Sequence, residues 1–217
     1  MMPDTMLKDA LAQLSPQWPL LLAWSLYAFI HSLTASLACK NFAHQRWPTL
    51  FASYRLAYNV LAGLLLIPIA LIAYHQPGPV LWQWQGAAAW VINGITLLIF
   101  LSFLRHGAGY NLGEFLGLRP ATEISAPQLV ISDWHRHVRH PWYSLGLALI
   151  WSRDMNAAGL TSAGAMTLYF IIGSRYEEAK LVSEFGERYR EYQKRVPALI
   201  PLPWKTLSRI DAERLKA

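Results

Sequence analysis

Residues 56–74 read LAYNVLAGLLLIPIALIAY, a run with no formal charge anywhere in it. As a helix rising 1.5 Å per residue, such a run covers about 28 Å, close to the thickness of bilayer hydrocarbon. It is therefore read as a transmembrane helix. Working outward, Leu20 to Ala38 and roughly Leu81 to Leu104 qualify as well, the latter despite Gln83, Gln85 and Asn93. A fourth apolar stretch follows Pro141, runs from Trp142 to Trp151 and is broken by Arg153-Asp154. It is too short to span comfortably alone. Ala157 to Ser174 follows at once, so the two form a helical hairpin with Arg153, Asp154 and Asn156 at its tip. The expected fold class is all-α integral membrane: about five transmembrane helices, with a C-terminal helical hairpin and a cytoplasmic amphipathic helix.

Composition supports this reading. Of 217 residues, 54% are hydrophobic and only 15% charged, far more apolar than a soluble domain. The formal charge of +6 suits anionic lipid and cytoplasmic loops. No basic soluble module is visible, which argues against a nucleic-acid partner. A single cysteine, Cys39, excludes a disulfide framework, a Cys-based zinc site and a Cys-x-x-Cys redox pair. Met1 to Pro19 carries Asp4, Lys8 and Asp9 with no small-residue cleavage site after a short apolar run, so no removable signal is expected.

Basic residues orient the chain. Lys40, Arg46 and Arg55 follow the first helix, Arg105, Arg119, Arg136 and Arg139 follow the third, and the C-terminal tail is densely basic. The intervening loops are nearly empty of charge. Positive loops face the cytoplasm, which gives an outside N-terminus and a cytoplasmic C-terminus in a bacterial inner membrane. The organisation is a single membrane domain over 1–217: three helices in 20–104, a cytoplasmic linker in 105–140, and a hairpin and tail in 141–204.

Polar groups inside hydrocarbon need a reason. His31, Ser32, Asn59 and Asn93 lie in the first three helices. Hydrogen bonding between helices would account for them, and contact with a substrate would too. His31 shows no mid-membrane partner histidine for a b-type haem. In Trp134-His-Arg-His-Val-Arg-His-Pro-Trp-Tyr143, three histidines and two arginines gather before Pro141, a residue suited to the first turn of a helix. No carboxylate or cysteine stands there at ligand spacing, and a basic collar repels a cation, so no metal is expected. A carboxylate or phosphate fits better, aided by the helix N-terminus.

Beyond the hairpin, Glu177 and Glu178 are adjacent at a helix end, and one of them should turn inward. Phe185, Tyr189, Tyr192 and Val196 recur at steps of four, three and four, marking the apolar face of a surface helix that Pro197 ends. Glu184 with Arg188, and Glu191 with Arg195, are favourable pairs on its wet side.

The string Val-Arg-His-Pro-Trp-Tyr, a hairpin, then Glu-Glu-x-x-Leu-x-x-x-Phe-Gly-x-x-Tyr-x-x-Tyr-x-x-x-Val-Pro-x-x-x-Pro resembles the C-terminal core of the membrane-embedded methyltransferases. That superfamily includes isoprenylcysteine carboxyl methyltransferases, phospholipid N-methyltransferases and bacterial methanethiol S-methyltransferases. The likeness covers about residues 134 to 204. Phe115-Leu-Gly-Leu-Arg-Pro120 and His31-Ser32 resemble the methanethiol branch.

The resemblance implies S-adenosylmethionine as methyl donor, in a cytoplasm-facing pocket roofed by the tail. Matched positions put His137, Val138, Arg139, His140, Pro141, Tyr143 and Gly146 at the cofactor, with Glu177 and Glu178 as the paired glutamates and Tyr189, Tyr192 and Arg195 in the roof. Arg139, His140 and Tyr143 are the catalytic candidates. The family pattern His-Pro-x-Tyr-x-Gly is shifted here, since Tyr143 is followed by Ser144, Leu145 and Gly146.

Methyl transfer from a sulfonium needs little acid or base help, only a nucleophile held at attack distance and exclusion of water. A glutamate can bind the donor's ammonium, Arg139 its carboxylate, and aromatic faces its sulfonium. His31, Asn59 and Asn93 are the substrate candidates, and their sparseness favours a small or lipid-like acceptor, with S-methylation preferred. Two alternatives stay open: an NADPH-dependent sterol-type reductase, and a non-catalytic membrane protein of related fold.

Overall fold

The computed structural model describes residues 17–107, 112–119 and 129–216. Residues 1–16, with most of the stretch read as lacking a removable signal, and 120–128 of the linker, with Pro120, lie outside the described residues. Helix α1 spans Trp18–Ala35, with Pro19 in its first turn, where a missing amide donor costs nothing. At Ser36 the backbone turns extended (φ −65°, ψ 149°), and the Ser36 hydroxyl accepts the Cys39 amide at 3.2 Å, capping α2, Leu37–Arg46. The break bends α2 away from α1 by 59°.

Helix α3 is Tyr54–His75, entered through a 3₁₀ turn at Phe51–Ser53. Strand β1, Val80–Trp82, leads to α4, Gly86–Gly107. The short α5 is Leu112–Leu116, and a 3₁₀ turn at Trp134–Arg136 precedes α6, Pro141–Trp151. Strand β2, Met155–Asn156, opens α7, Ala157–Phe185; α8 is Glu187–Arg195 and α9 Arg209–Lys216.

Three helical segments are each long and apolar enough to cross a membrane, Phe51–His75, Gly86–Arg105 and Ala157–Phe185, and the bent pair α1–α2 makes a fourth if taken as one span. Large apolar side chains face outward along them, among them Phe29 at 65% exposure and Trp90 at 81%, which only a lipid environment makes tolerable. The protein is an all-α integral membrane protein apart from one small strand pair. The expected count of five crossings depends on α6, whose 11 residues rise only about 16 Å.

The described chain divides into two compact units. In the first, α1 packs on α3 around Leu20, Ile69 and Ala158, flanked by Trp24, Tyr27 and Ile72. The Trp24 indole donates to the Ser162 hydroxyl at 3.0 Å, and the Tyr54 hydroxyl donates to the Thr34 carbonyl at 2.6 Å. The loop after α3 and the hairpin tip, both expected on one side of the membrane, join here as antiparallel β1 and β2, with Val80 opposite Asn156. The Trp84 amide donates to Asp154 Oδ1 at 3.0 Å beside them.

The second unit contains α6, most of α7, α8 and α9. Its core is Leu129, Ile131, Tyr189, Tyr192, Val196, Leu207 and Ala212, with Leu181, Val182 and Phe185 packed against it. The expected apolar face Phe185, Tyr189, Tyr192 and Val196 is what the tail buries. It does so across a helix break: Gly186 sits at φ +59°, a region that disfavours any side chain, and separates α7 from α8.

Candidate functional site

The basic collar and the tail are zipped together by backbone hydrogen bonds. The Arg139 amide donates to the Pro197 carbonyl at 2.9 Å, the His140 amide to Ala198 at 3.0 Å, and the Leu207 amide to Arg136 at 2.9 Å. Side chains reinforce the seam: the Ser144 hydroxyl donates to the Leu199 carbonyl at 2.6 Å and the Tyr192 hydroxyl to the His135 carbonyl at 2.6 Å. A segment that would otherwise present open carbonyls is thereby paired along its length.

This seam brings four ionisable side chains together. Arg139 grips Glu178 with two nitrogens, Nε to Oε1 at 2.7 Å and Nη2 to Oε2 at 3.0 Å, and both side chains are nearly buried, 10% and 12% exposed. The same guanidinium donates to the Gln193 carbonyl at 3.0 Å and to the Val196 carbonyl. Gln193 Nε2 completes the ring with a 2.9 Å bond to Glu178 Oε2. Glu178 is thus the inward glutamate, and its charge is fully answered by protein groups.

Glu177 is different. It is half-exposed, and two neighbours stand at the long edge of hydrogen-bond range: His140 Nδ1 at 3.4 Å and the Tyr143 hydroxyl at 3.4 Å. His140, buried, lies between the two carboxylates, with Nε2 3.0 Å from Glu178 Oε1. Burial alone would push its pKa down, but hydrogen bonds and charge from Glu177 and Glu178 outweigh that and raise it. Imidazolium can donate from both ring nitrogens, which suits two carboxylate neighbours. The rings of His140, Tyr143 and Phe170 form a stack, with centroids 5.4 Å apart between the first two and 4.6 Å between the last two. The cluster therefore offers an incompletely satisfied carboxylate next to a stack of ring faces, a combination suited to a cationic or onium ligand.

Other candidates fall elsewhere. Pro141 opens α6 and Val138 is buried in the collar, while His137 is exposed. Gly146 lies against Phe170, where an added Cβ would stand 3.4 Å from the ring. Tyr189 and Tyr192 are core residues, and burial raises both phenol pKa values. Arg195 is on the surface, pairing with Glu191 at 2.8 Å and Asp211 at 3.4 Å. Arg188, expected to pair with Glu184, reaches the Lys216 carbonyl. Sequence reasoning missed Gln193, Phe170 and Ser144. Only Gln193 had a signal, lying four residues after Tyr189 and so on the same helical face.

In the first unit, His31 and Asn59 line one cavity of about 720 Å³, together with Tyr58, Lys40, Arg55 and Arg119 among others. The Tyr58 hydroxyl and His31 Nε2 are hydrogen-bonded at 2.7 Å, and Tyr27 stacks on the His31 ring. Asn59 donates to the Phe115 carbonyl at 3.1 Å. The third substrate candidate, Asn93, does not line this cavity; it is exposed on α4. No group of three metal-ligating side chains occurs among the described residues.

Comparison with known proteins bears on both sites. No family model matches the chain, and no solved structure matches it significantly. The chain is similar to methanethiol S-methyltransferase 2 of Bradyrhizobium diazoefficiens, 34% identical over 83% of this chain and 71% of that protein. It is 30% identical to a methanethiol S-methyltransferase of Pseudomonas deceptionensis, over 85% of this chain and 74% of the other. Human protein-S-isoprenylcysteine O-methyltransferase is more distant, 28% identical over 56% and 45% of the two chains. Similarity at this level, over 83% and 85% of the chain, makes this protein a methyltransferase, and the chain belongs to the methanethiol S-methyltransferase family.

Proposed function

We propose that this protein methylates the sulfur of a small thiol, with S-adenosylmethionine held at the seam between collar and tail. The observation that carries the reading is the division of labour between the two glutamates: Glu178 is saturated by Arg139, His140 and Gln193, while Glu177 keeps acceptor capacity beside the aromatic stack. S-adenosylmethionine supplies an electrophilic methyl group on a sulfonium when bound. Glu177 would take its ammonium, and Tyr143 with Phe170 would offer ring faces to the cationic sulfur. Arg139 acts as a positioning residue, because its donors are committed to Glu178 and to the carbonyls of Gln193 and Val196. Tyr189, Tyr192 and Arg195 hold the tail against the seam.

On the acceptor side, the His31–Tyr58 pair is the polar feature we assign to the thiol, with Asn59 next to it on α3. The thiol proton would pass to the Tyr58 hydroxyl as that hydroxyl hands its own proton to His31 Nε2, its partner at 2.7 Å, leaving the thiolate sulfur to take the methyl group. Membrane helices around the pair exclude water, which favours thiolate attack over hydrolysis. The relatives that carry the methanethiol name support a thiol acceptor. The proposed frame is five crossings in one membrane domain, with an outside N-terminus and with collar and tail cytoplasmic, where the donor is made.

Binding of adenosylhomocysteine to the detergent-purified protein tests the donor site. Glu177→Gln should weaken it by about 2 kcal/mol, roughly thirtyfold, the usual loss for a charged hydrogen bond. Glu184→Ala, on the exposed tail face, should change it by less than about twofold. Equal losses in the two variants would remove Glu177 from the site.

A further inference from the structure

We propose that the cavity in the first unit binds a phosphate group at its opening, the source best matched by the surroundings being the headgroup of an anionic membrane lipid. Three cations, Lys40, Arg55 and Arg119, line it, and no carboxylate does among the described residues. Three like charges sharing one cavity repel one another, and an anion between them relieves that. Arg55 uses one donor on the Glu114 carbonyl, at 2.8 Å, which fixes its stem and leaves further guanidinium N–H groups for a ligand. Arg119 is delivered by a forced close approach: Gly117, at φ +80°, passes so near the start of α3 that an added Cβ would lie 2.4 Å from the Leu56 nitrogen. The backbone there admits only glycine, and the chain two residues on supplies the third cation.

The location argues for a lipid. Lys40 sits on α2, which leaves the direction of α1 by 59° while exposing Leu37 (68%) and Phe42 (61%) and carrying His44 and Arg46 in its last turn. A short helix with exposed apolar groups and basic ones, bent off the end of α1, suits the plane of the membrane interface better than its interior. Arg55 is in the first turn of α3, so it too stands at the end of a span, where lipid phosphates are. Tyr58 and Asn59 follow one turn further along α3, so the His31–Tyr58 pair lies deeper than the cations. Size agrees: about 720 Å³ is the volume of a site for a drug-sized molecule, far more than a two-heavy-atom thiol fills. The aromatic walls Phe51 and Phe115 would flank glycerol and the first acyl carbons.

The assignment needs only the cavity and its charges and stands apart from the methyl-transfer reading. It is tested with the full-length protein in neutral detergent, reading the anisotropy of a short-chain fluorescent phosphatidylglycerol against four competitors: unlabelled phosphatidylglycerol, phosphatidylcholine, diacylglycerol and inorganic phosphate. Phosphatidylglycerol should compete well and diacylglycerol poorly. The combined Lys40→Gln, Arg55→Gln, Arg119→Gln variant should bind at least about tenfold more weakly. Arg209→Gln, an exposed cation outside the cavity, should bind as the native protein does. Since Lys40 reaches out from a surface helix, Lys40→Gln alone serves as the fold-safe variant, with an expected loss of about threefold. Competition by inorganic phosphate equal to that by phosphatidylglycerol would keep the phosphate site and assign it to a free anion. Unchanged probe binding in the combined variant, or equal competition by diacylglycerol, would overturn the proposal.

Discussion

Replacing Arg139 by alanine should loosen the tail from the collar, and the size of the effect follows from what the guanidinium touches. It holds Glu178 at 2.7 and 3.0 Å in a nearly dry setting and caps two carbonyls, those of Gln193 and Val196. After Arg139→Ala, Glu178 keeps His140 at 3.0 Å and Gln193 at 2.9 Å, but loses its bidentate partner, and two carbonyls lose a donor. Breaking a buried pair from one side costs about 3–5 kcal/mol. Glu178→Gln should cost less, about 2–3 kcal/mol, because a neutral amide can still accept from the guanidinium. Removing both charges in Arg139→Met with Glu178→Met should cost well under the sum of the losses of Arg139→Met and Glu178→Met made singly, a coupling of about 2 kcal/mol or more. The assay is the rate of limited proteolysis within 197–216 in mild detergent, under conditions where cleavage reports the population of the open tail. An opening penalty smaller by 3–5 kcal/mol should speed cleavage by roughly two to three and a half orders of magnitude. Single variants that each change cleavage less than about fivefold and combine additively would refute the idea that this pair clamps the tail.

His140 makes that clamp pH-dependent. Its pKa is raised above the ordinary value near 6.5 by Glu177 and Glu178, against the opposing effect of burial. Its contribution is therefore fully present below about pH 6.5 and is lost as pH rises through the raised value. Protection of the tail should fall as pH is raised beyond the ordinary histidine value near 6.5 and through the raised one, and His140→Gln should flatten that limb; a fall of equal size in the variant would assign it to another group. Gly117→Ala should lower the thermal stability of the first unit by about 1–3 kcal/mol, since the backbone sits at φ +80° and the new methyl would strike the start of α3. A melting point unchanged in Gly117→Ala would contradict the close approach on which the position of Arg119 rests.

What could be read in the sequence was whatever depends on neighbours along the chain. Uncharged runs located the three helices long and apolar enough to span, Arg153-Asp154 located the hairpin tip, and the spacing of Phe185, Tyr189, Tyr192 and Val196 identified the face that the tail buries. That one of two adjacent glutamates turns inward follows from helix geometry; which one does not, because the choice is made by Arg139, 39 positions earlier. The same separation hid the partner of Arg139, which the sequence matched to a ligand carboxylate and the structure gives to Glu178. The Ser36 break was invisible inside an apolar run and needed the cap on Cys39 to declare itself. The cationic lining of the cavity was also hidden. Lys40, Arg55 and Arg119 count separately toward topology in the sequence, and only the packing of α5 against α3 puts them in one place.

The most direct test of the central claim is methyl transfer itself. The purified, full-length protein should be given S-adenosylmethionine labelled in the methyl group and, in separate reactions, methanethiol, longer alkyl thiols, phosphatidylethanolamine and a prenyl-cysteine analogue. The prediction is labelled dimethyl sulfide from methanethiol, falling at least about tenfold in His31→Ala, in line with the contribution of one acid–base group. Labelled phospholipid or prenyl-cysteine ester with no thioether, or thiol turnover untouched by His31→Ala, would contradict the account.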